Sequence, residues 1–151
     1  SIQSPSIISN REFKVLYSRY LEKSGNYELA LIQMDSVLND LIGEQIPSNL
    51  LALKGLILKK LGQYDDAKLS FENAIWKLSN TPKDLISLSQ YKSSLGDIER
   101  KLGNYYDALK YYNESFDELS KLIGNSHLKL VDIHRNIGLT YKKKAEYDKA
   151  K

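Results

Sequence analysis

The chain has 151 residues, of which 42% are hydrophobic and 27% charged, values typical of a globular domain and not of a disordered or fibrous chain. Its 22 Lys and Arg exceed its 19 Asp and Glu by a formal charge of +3, which is too small to indicate nucleic-acid binding by itself. The lack of Cys in the sequence excludes disulfides, thiolate nucleophiles and cysteine zinc sites.

The N-terminal sequence "SIQSPSIISN" lacks the charged-then-apolar layout of an export signal, and no apolar run approaches the roughly 18 residues that a membrane span needs. We therefore expect no membrane partner. The absence of Cys and of an export signal favours a cytoplasmic location. Because the sequence begins without Met, we expect a fragment of a longer protein.

One short phrase occurs four times along the chain, as "LEKSGNYELA", "LKKLGQYDDA", "ERKLGNYYDA" and "YKKKAEYDKA". Its turn residue is Gly25, Gly62, Gly103 and then Ala145, at intervals of 37, 41 and 42 residues. Glycine adopts positive φ just past a helix end, and a Tyr-x-x-Ala sequence follows as the start of another helix. The phrase therefore predicts a tight turn between two helices.

Seven helices are predicted in chain order, after an N-terminal linker or the end of a preceding helix at 1–10. Ser48 after Pro47, and Thr81 before Pro82, are typical of helix starts. After the turn at Ala145, Tyr147 would open an eighth helix that the sequence barely begins. The predicted helices are 11–24, 27–42, 49–61, 64–79, 83–102, 105–122 and 127–144.

The segments "LALKGLILKKLGQYDDAKLSFENAI" and "YKSSLGDIERKLGNYYDALKYYNES" resemble the tetratricopeptide repeat, and the resemblance extends over about 11–151. Intervals of 41 and 42 residues exceed the usual period of about 34 residues. They are similar to the long-period arrays of kinesin light chains and bacterial signalling proteins. The resemblance implies an all-α, right-handed superhelical solenoid of antiparallel helix pairs, with three pairs and a truncated fourth.

Four residues depart from the family's pattern. Lys14 and Lys92 occupy positions that are usually bulky and apolar, Glu99 replaces an apolar residue, and Ala145 replaces the turn glycine. We expect looser packing at these sites, and a buried Glu99 would need a partner.

The resemblance also implies a concave wall, formed by the first helix of each pair, that binds a segment of a partner protein. Leu53 and Leu56 would anchor the segment through apolar contacts, and Asn136 matches an inner-face position at which related arrays hold a peptide backbone. The predicted wall comprises Val15, Leu16, Arg19, Lys23, Asn49, Ala52, Leu53, Leu56, Lys60, Gln90, Ser93, Ser94, Asp97, Lys101, Asp132, Arg135, Asn136, Leu139 and Lys143.

Basic residues close every predicted first helix, as Lys23, Lys60, Lys101 and Lys143 illustrate. They could form a ladder of cations for an acidic peptide, or only compensate the negative end of the helix dipole. We expect no nucleic-acid partner, since RNA binding is the least favoured interpretation of these residues and would depend steeply on salt concentration. Some tetratricopeptide repeat proteins bind the C-terminal carboxylate of a chaperone with paired Lys and Asn residues. The predicted wall offers no such set, so we expect no chaperone-tail binding.

We predict a non-catalytic module without cofactor or metal, because the sequence holds no H-E-x-x-H, phosphate-binding glycine loop or G-x-S-x-G motif. His127 and His134 would lie about 10.5 Å apart along one helix, too far for one metal ion. The alternative is that the repeats brace or regulate an enzymatic or transcriptional domain elsewhere in the parent chain. The sequence predicts neither an oligomeric state nor the identity of a partner.

Overall fold

The structure is a computed structural model that describes residues 8–78, 82–123 and 128–151. All regular structure in these ranges is helical. Most of the predicted linker, Thr81 and His127 lie outside the described residues. The helices are α1 (Asn10–Lys23), α2 (Tyr27–Asp40), α3 (Ser48–Lys60), α4 (Tyr64–Trp76), α5 (Pro82–Lys101), α6 (Tyr105–Ile123) and α7 (Leu128–Ala150).

The predicted glycine turns are confirmed at the ends of α1, α3 and α5. Gly25, Gly62 and Gly103 have φ values of +84°, +77° and +83°. The amide of the residue after each glycine donates to a carbonyl five residues back, as from Asn104 to Glu99 at 2.8 Å. This bond satisfies a carbonyl that the helix end would leave unpaired, and the positive φ lets the chain reverse.

Each turn places its two helices side by side, and successive pairs stack in chain order. Ala30, Ala67 and Ala108, the small residues of the repeated phrase, are completely buried and allow close approach of the helices. One apolar cluster includes Leu21, Met34 and residues of α3, and the clusters that follow join α3 to α5 and α6 to α7. The chain is thus an all-α helical solenoid.

The predicted turn at Ala145 is wrong, because α7 continues without a break to Ala150. Alanine has the highest helix propensity and cannot adopt positive φ cheaply, so nothing local ends the helix. Ion pairs from Lys143 to Glu146 at 3.2 Å and from Lys144 to Asp148 at 2.8 Å support the straight helix. No eighth helix begins at Tyr147 in the described chain.

Lys14 and Lys92, the two lysines at usually apolar positions, each form an ion pair with the second helix of their own pair. Lys14 Nζ lies 3.0 Å from Asp40, and Lys92 Nζ lies 3.1 Å from Glu114. Each lysine lies eleven residues before its turn glycine, so the two pairs occupy equivalent places. The aliphatic part of a lysine can fill an apolar position while its charge reaches an acid at the edge.

Glu99 is only 1% exposed and has the partner that its burial requires. Its carboxylate accepts from Lys68 Nζ of α4 at 2.5 Å and from Asn104 Nδ2 at 2.8 Å. Burial alone would raise the pKa of Glu99, but these two hydrogen bonds and the Lys68 charge outweigh it and lower the pKa. The ion pair therefore joins the second helix pair to the third.

Candidate functional site

A cavity of about 360 Å³, named here the inner groove, lies between the first helices α1, α3 and α5. α3 and α5 contribute residues at helical spacing, so each presents one continuous face to the cavity. The lining residues are Arg19, Asn49, Ala52, Leu53, Leu56, Phe71, Ser87, Gln90, Tyr91 and Ser94.

A smaller cavity of about 220 Å³ continues the groove towards α7 and shares Gln90 with it. The first cavity and its neighbour therefore form a row along the first helices. The smaller cavity is lined by Ser89, Gln90, Ser93, Ser115, Leu119, Lys129, Asp132 and Ile133.

The inner groove combines an apolar floor with polar groups that can reach a ligand. Arg19 is exposed and makes no ion pair within the part of the chain that the structure describes. Asn49 and Gln90 are exposed as well, while Leu56 is half-buried. A guanidinium and two amides beside apolar carbon can bind a carboxylate, a peptide backbone and an apolar side chain together.

Leu53 was predicted to anchor a ligand, but the structure places it in the core. Its side chain is only 6% exposed and packs with Leu50 and Ile57, and Val15 packs against the same cluster. The side chains of Leu53 and Val15 therefore pack where the first helix pair meets the second. Leu53 therefore contributes to the groove floor, and Leu53→Asp would test core packing instead of binding.

Asp97 was predicted to face a ligand and instead connects three helices. It accepts from Lys59 Nζ of α3 at 3.0 Å and from the Tyr112 hydroxyl of α6 at 2.6 Å, and Arg100 lies 3.6 Å away. Burial and the Asp97 carboxylate raise the pKa of Tyr112, so the phenol stays protonated and donates. The carboxylate of Asp97 is engaged within the fold.

The remaining predicted wall residues lie apart from the inner groove. Lys60 and Lys101 are exposed at helix ends. Arg135 pairs with Asp132 at 3.0 Å, and Lys143 pairs with Glu146 on the surface of α7. Asn136, Leu139 and these residues of α7 do not line the groove between α1, α3 and α5.

Three lining residues were missed by the sequence analysis of the wall. Phe71 comes from a second helix, while Ser87 and Tyr91 lie on α5 one turn from predicted positions. Tyr91 lies at the same distance before its turn glycine as Leu50, and both are buried. That equivalence is a signal that could have placed Tyr91 at the floor of the groove.

The described residues offer no group of three or more acidic or histidine side chains that could hold a metal ion. His134 instead contacts the ring of Phe116 with a centroid distance of 4.5 Å. None of the helices described is both long and apolar enough to cross a membrane.

Comparison with known proteins gives matches at the level of both sequence family and structure. Tetratricopeptide repeat profiles match residues 48–75 and 87–151, together more than half of the chain. A comparison with curated protein sequences gave no match.

Two solved structures with similar folds are BtubC (BKLC) from P. vanneervenii and the Sgt2 TPR domain from Aspergillus fumigatus. BtubC is 19% identical, with a TM-score of 0.73 over 92% of this chain and 57% of BtubC. The Sgt2 domain is 17% identical, with a TM-score of 0.69 over 97% of this chain and 88% of that domain. The chain thus spans less than two thirds of BtubC, and both likenesses concern the fold alone.

Proposed function

The chain belongs to the tetratricopeptide repeat family, whose domains mediate protein–protein interaction, and we propose that its inner groove captures a segment of a partner protein. The observation that carries the proposal is that Arg19, which has no ion-pair partner among the described residues, lies beside an apolar floor and exposed amides that line the same cavity. No covalent chemistry is required of the site. The chain acts as a non-catalytic binding module.

The chemistry of the groove supports an acidic segment with one apolar side chain. A carboxylate would pair with Arg19, since guanidinium forms two parallel hydrogen bonds to such a group. Asn49 and Gln90 would hydrogen-bond the backbone of the segment, and an apolar side chain would contact Leu56. The positive charge at one end of the groove would also accelerate encounter with an acidic partner.

The proposal can be tested with acidic peptides selected from a display library against the intact chain. Arg19→Glu should lower the affinity for the selected peptide at least about tenfold, because it replaces attraction of the acidic peptide by repulsion at the groove. Lys60→Glu is the matched control, since it makes the same charge change on an exposed first-helix residue outside the cavity. We expect this control to retain the affinity within about twofold.

Titration calorimetry gives the affinities, and circular dichroism shows whether each variant keeps its helix content. Equal losses in both variants would indicate a general charge effect and contradict capture by the groove. Unchanged affinity in Arg19→Glu would do the same.

A further inference from the structure

A second groove, named here the outer groove, lies between α2 and α4, and α3 forms its floor. It encloses about 320 Å³ and shares no lining residue with the inner groove. Lys54 and Leu58 face it from α3, about half a turn around that helix from Ala52 and Leu56, which line the inner groove. The two grooves therefore lie on opposite faces of α3.

The outer groove lies within the array and not at one of its ends. α3 contacts both α2 and α4, and α4 contacts α5 of the next pair. Because each helix contacts mainly its neighbours in chain order, a further helix pair at either end would pack against α1 or against α6 and α7. Such a pair would leave the surface between α2 and α4 open.

Apolar side chains occupy the middle of the outer groove and its end away from the glycine turns. Leu58 is buried at the floor, Leu31 is half-buried, and Leu69 is 57% exposed at the edge. Trp76 lies seven residues after Leu69 on the same face of α4, and it is 83% exposed. An exposed indole beside an apolar groove is typical of a surface that another protein covers.

Negative charge without a partner lies at the other end of the outer groove, near the glycine turns. Lys54 lines the groove, but its Nζ lies 2.8 Å from Asp35, so these two charges compensate each other. Asp66, in the first turn of α4, also lines the groove, is exposed and makes no ion pair within the described ranges. Glu28, in the first turn of α2, is exposed and lies one turn before Leu31. This end of the groove therefore favours a cation.

The lining of the outer groove favours a helix over an extended segment. An extended segment carries a free backbone donor and acceptor at nearly every residue, and burying them requires partners. Few polar groups of the lining are available, since Ser70 donates to a carbonyl of α4 at 2.9 Å and Lys54 pairs with Asp35. A helix satisfies its own backbone and can place apolar side chains seven residues apart, about 10.5 Å, against Leu69 and Trp76.

We propose that the outer groove binds a basic amphipathic helix of a partner protein. Two apolar side chains of that helix, two turns apart, cover Leu69 and Trp76, and a lysine or arginine pairs with Asp66. Lys77, whose Nζ lies 5.8 Å from the centre of the Trp76 ring, places positive charge at the opposite end of the groove. The basic residues of the partner therefore lie near the start of α4.

The chain contains a single tryptophan, Trp76, so tryptophan fluorescence reports directly on the outer groove. The probe is a stapled helical peptide without tryptophan, with leucines on one face and lysines in its C-terminal half, where the helix dipole favours cations. Titrated into the intact chain, it should shift the Trp76 emission to shorter wavelength, because the indole leaves water. The same peptide with glutamates in place of the lysines should bind at least about tenfold more weakly.

The charge at Asp66 is tested by Asp66→Lys, which should lower the affinity for the lysine peptide at least about fivefold. Asp107→Lys is the matched control, since Asp107 has the same place in the first turn of α6 but does not line the outer groove. The control carries the same cost at a helix dipole and should retain the affinity within about twofold. Arg19→Glu, in the inner groove, should also leave the affinity unchanged, so the two grooves are tested separately.

The apolar contact is tested by Trp76→Ala, with the affinity measured by the fluorescence anisotropy of a labelled lysine peptide. We expect a loss of about tenfold, because an exposed aromatic residue at an interface contributes strongly to binding. Tyr106→Ala is the matched control, since Tyr106 is 79% exposed on α6 and does not line the outer groove. It should bind the peptide as the wild type does.

The proposal is overturned if the lysine peptide leaves the emission of Trp76 unchanged or if the glutamate peptide binds as tightly. It is also overturned if Asp66→Lys binds like Asp107→Lys, or if Trp76→Ala binds like Tyr106→Ala. Analytical ultracentrifugation of the chain without peptide examines a second copy as the occupant. A dimer that Trp76→Ala dissociates would assign the groove to self-association and overturn the proposal of a partner helix.

Discussion

The sequence identifies Glu99 as an unusual acidic residue in the repeat, but it does not identify the residue that pairs with it. An acidic residue at an apolar repeat position could be identified because the repeats align on their turn glycines. Its partner, Lys68, lies 31 residues earlier on a different helix pair. Only the stacking of the pairs brings these two charges together, and no spacing rule within one helix predicts that.

We predict that Glu99→Gln destabilises the chain by about 1–3 kcal/mol at pH 7, because the buried position would then hold a neutral amide, which binds the partly exposed Lys68 ammonium less strongly than the carboxylate does. The pKa of Glu99 is lowered on folding, so its ionised form stabilises the fold above its ordinary value of 4.5. This stabilisation is lost as the pH falls through the lowered pKa.

The difference between wild type and Glu99→Gln should therefore shrink over the acid range, as the pH falls below 4.5. Urea denaturation at several pH values measures it. Glu146→Gln, at an exposed ion pair, is the matched control and should change stability by less than about 0.5 kcal/mol. A difference for Glu99→Gln that stays constant over this range would show that its charge does not contribute.

The helices themselves were largely predictable, because their limits depend on local chemistry. The predicted and observed helices differ by at most three residues at every end before the C-terminal end of α7. Glycines with positive φ stop α1, α3 and α5 wherever the rest of the sequence places them. The fourth copy of the repeated phrase does not form the predicted turn, because Ala145 stands where the other copies have the turn glycine.

Ala145→Gly should restore the missing turn signal and lower the helix content of the last residues of α7. We expect a cost of about 1 kcal/mol in local helix stability, from the lower helix propensity of glycine. Carbon-13 secondary shifts of residues 146–150 report the change directly. Ala150→Gly, at the end of the helix, is the control and should leave residues 141–147 unchanged; persistent full helicity in Ala145→Gly would refute this account.

For the assembled array, the sequence predicts which helix face is the inner one. It does not show which residues of that face are exposed and which belong to the core. Arg19 and Leu53 lie on that face in the prediction, yet one is exposed and the other belongs to the core. The difference depends on how closely α1 and α3 approach, which the helical period alone does not fix. Asp97 is similar, since three helices must assemble before its hydrogen bonds exist.

Contacts run mainly between consecutive helices, so the two ends of the array are coupled only through the middle. Leu21→Ala should destabilise the first pair by about 2–5 kcal/mol through the cavity it leaves. Hydrogen exchange should accelerate in α1 and α2 and change little in α5 and α6. Leu95→Ala, in the central cluster, should accelerate exchange on both sides; uniform acceleration in both variants would indicate one cooperative unit instead.

The first four helices have 13 or 14 residues, whereas α5 and α6 have 20 and 19. The additional residues lie at the ends away from the glycine turns, since α5 begins 21 residues before Gly103 but α3 begins only 14 before Gly62. Seven residues of helix amount to about 10 Å. The third pair therefore extends beyond the first two pairs at the helix ends opposite the glycine turns. This difference in length makes the two ends of the array distinguishable, which an array of equal pairs would not allow.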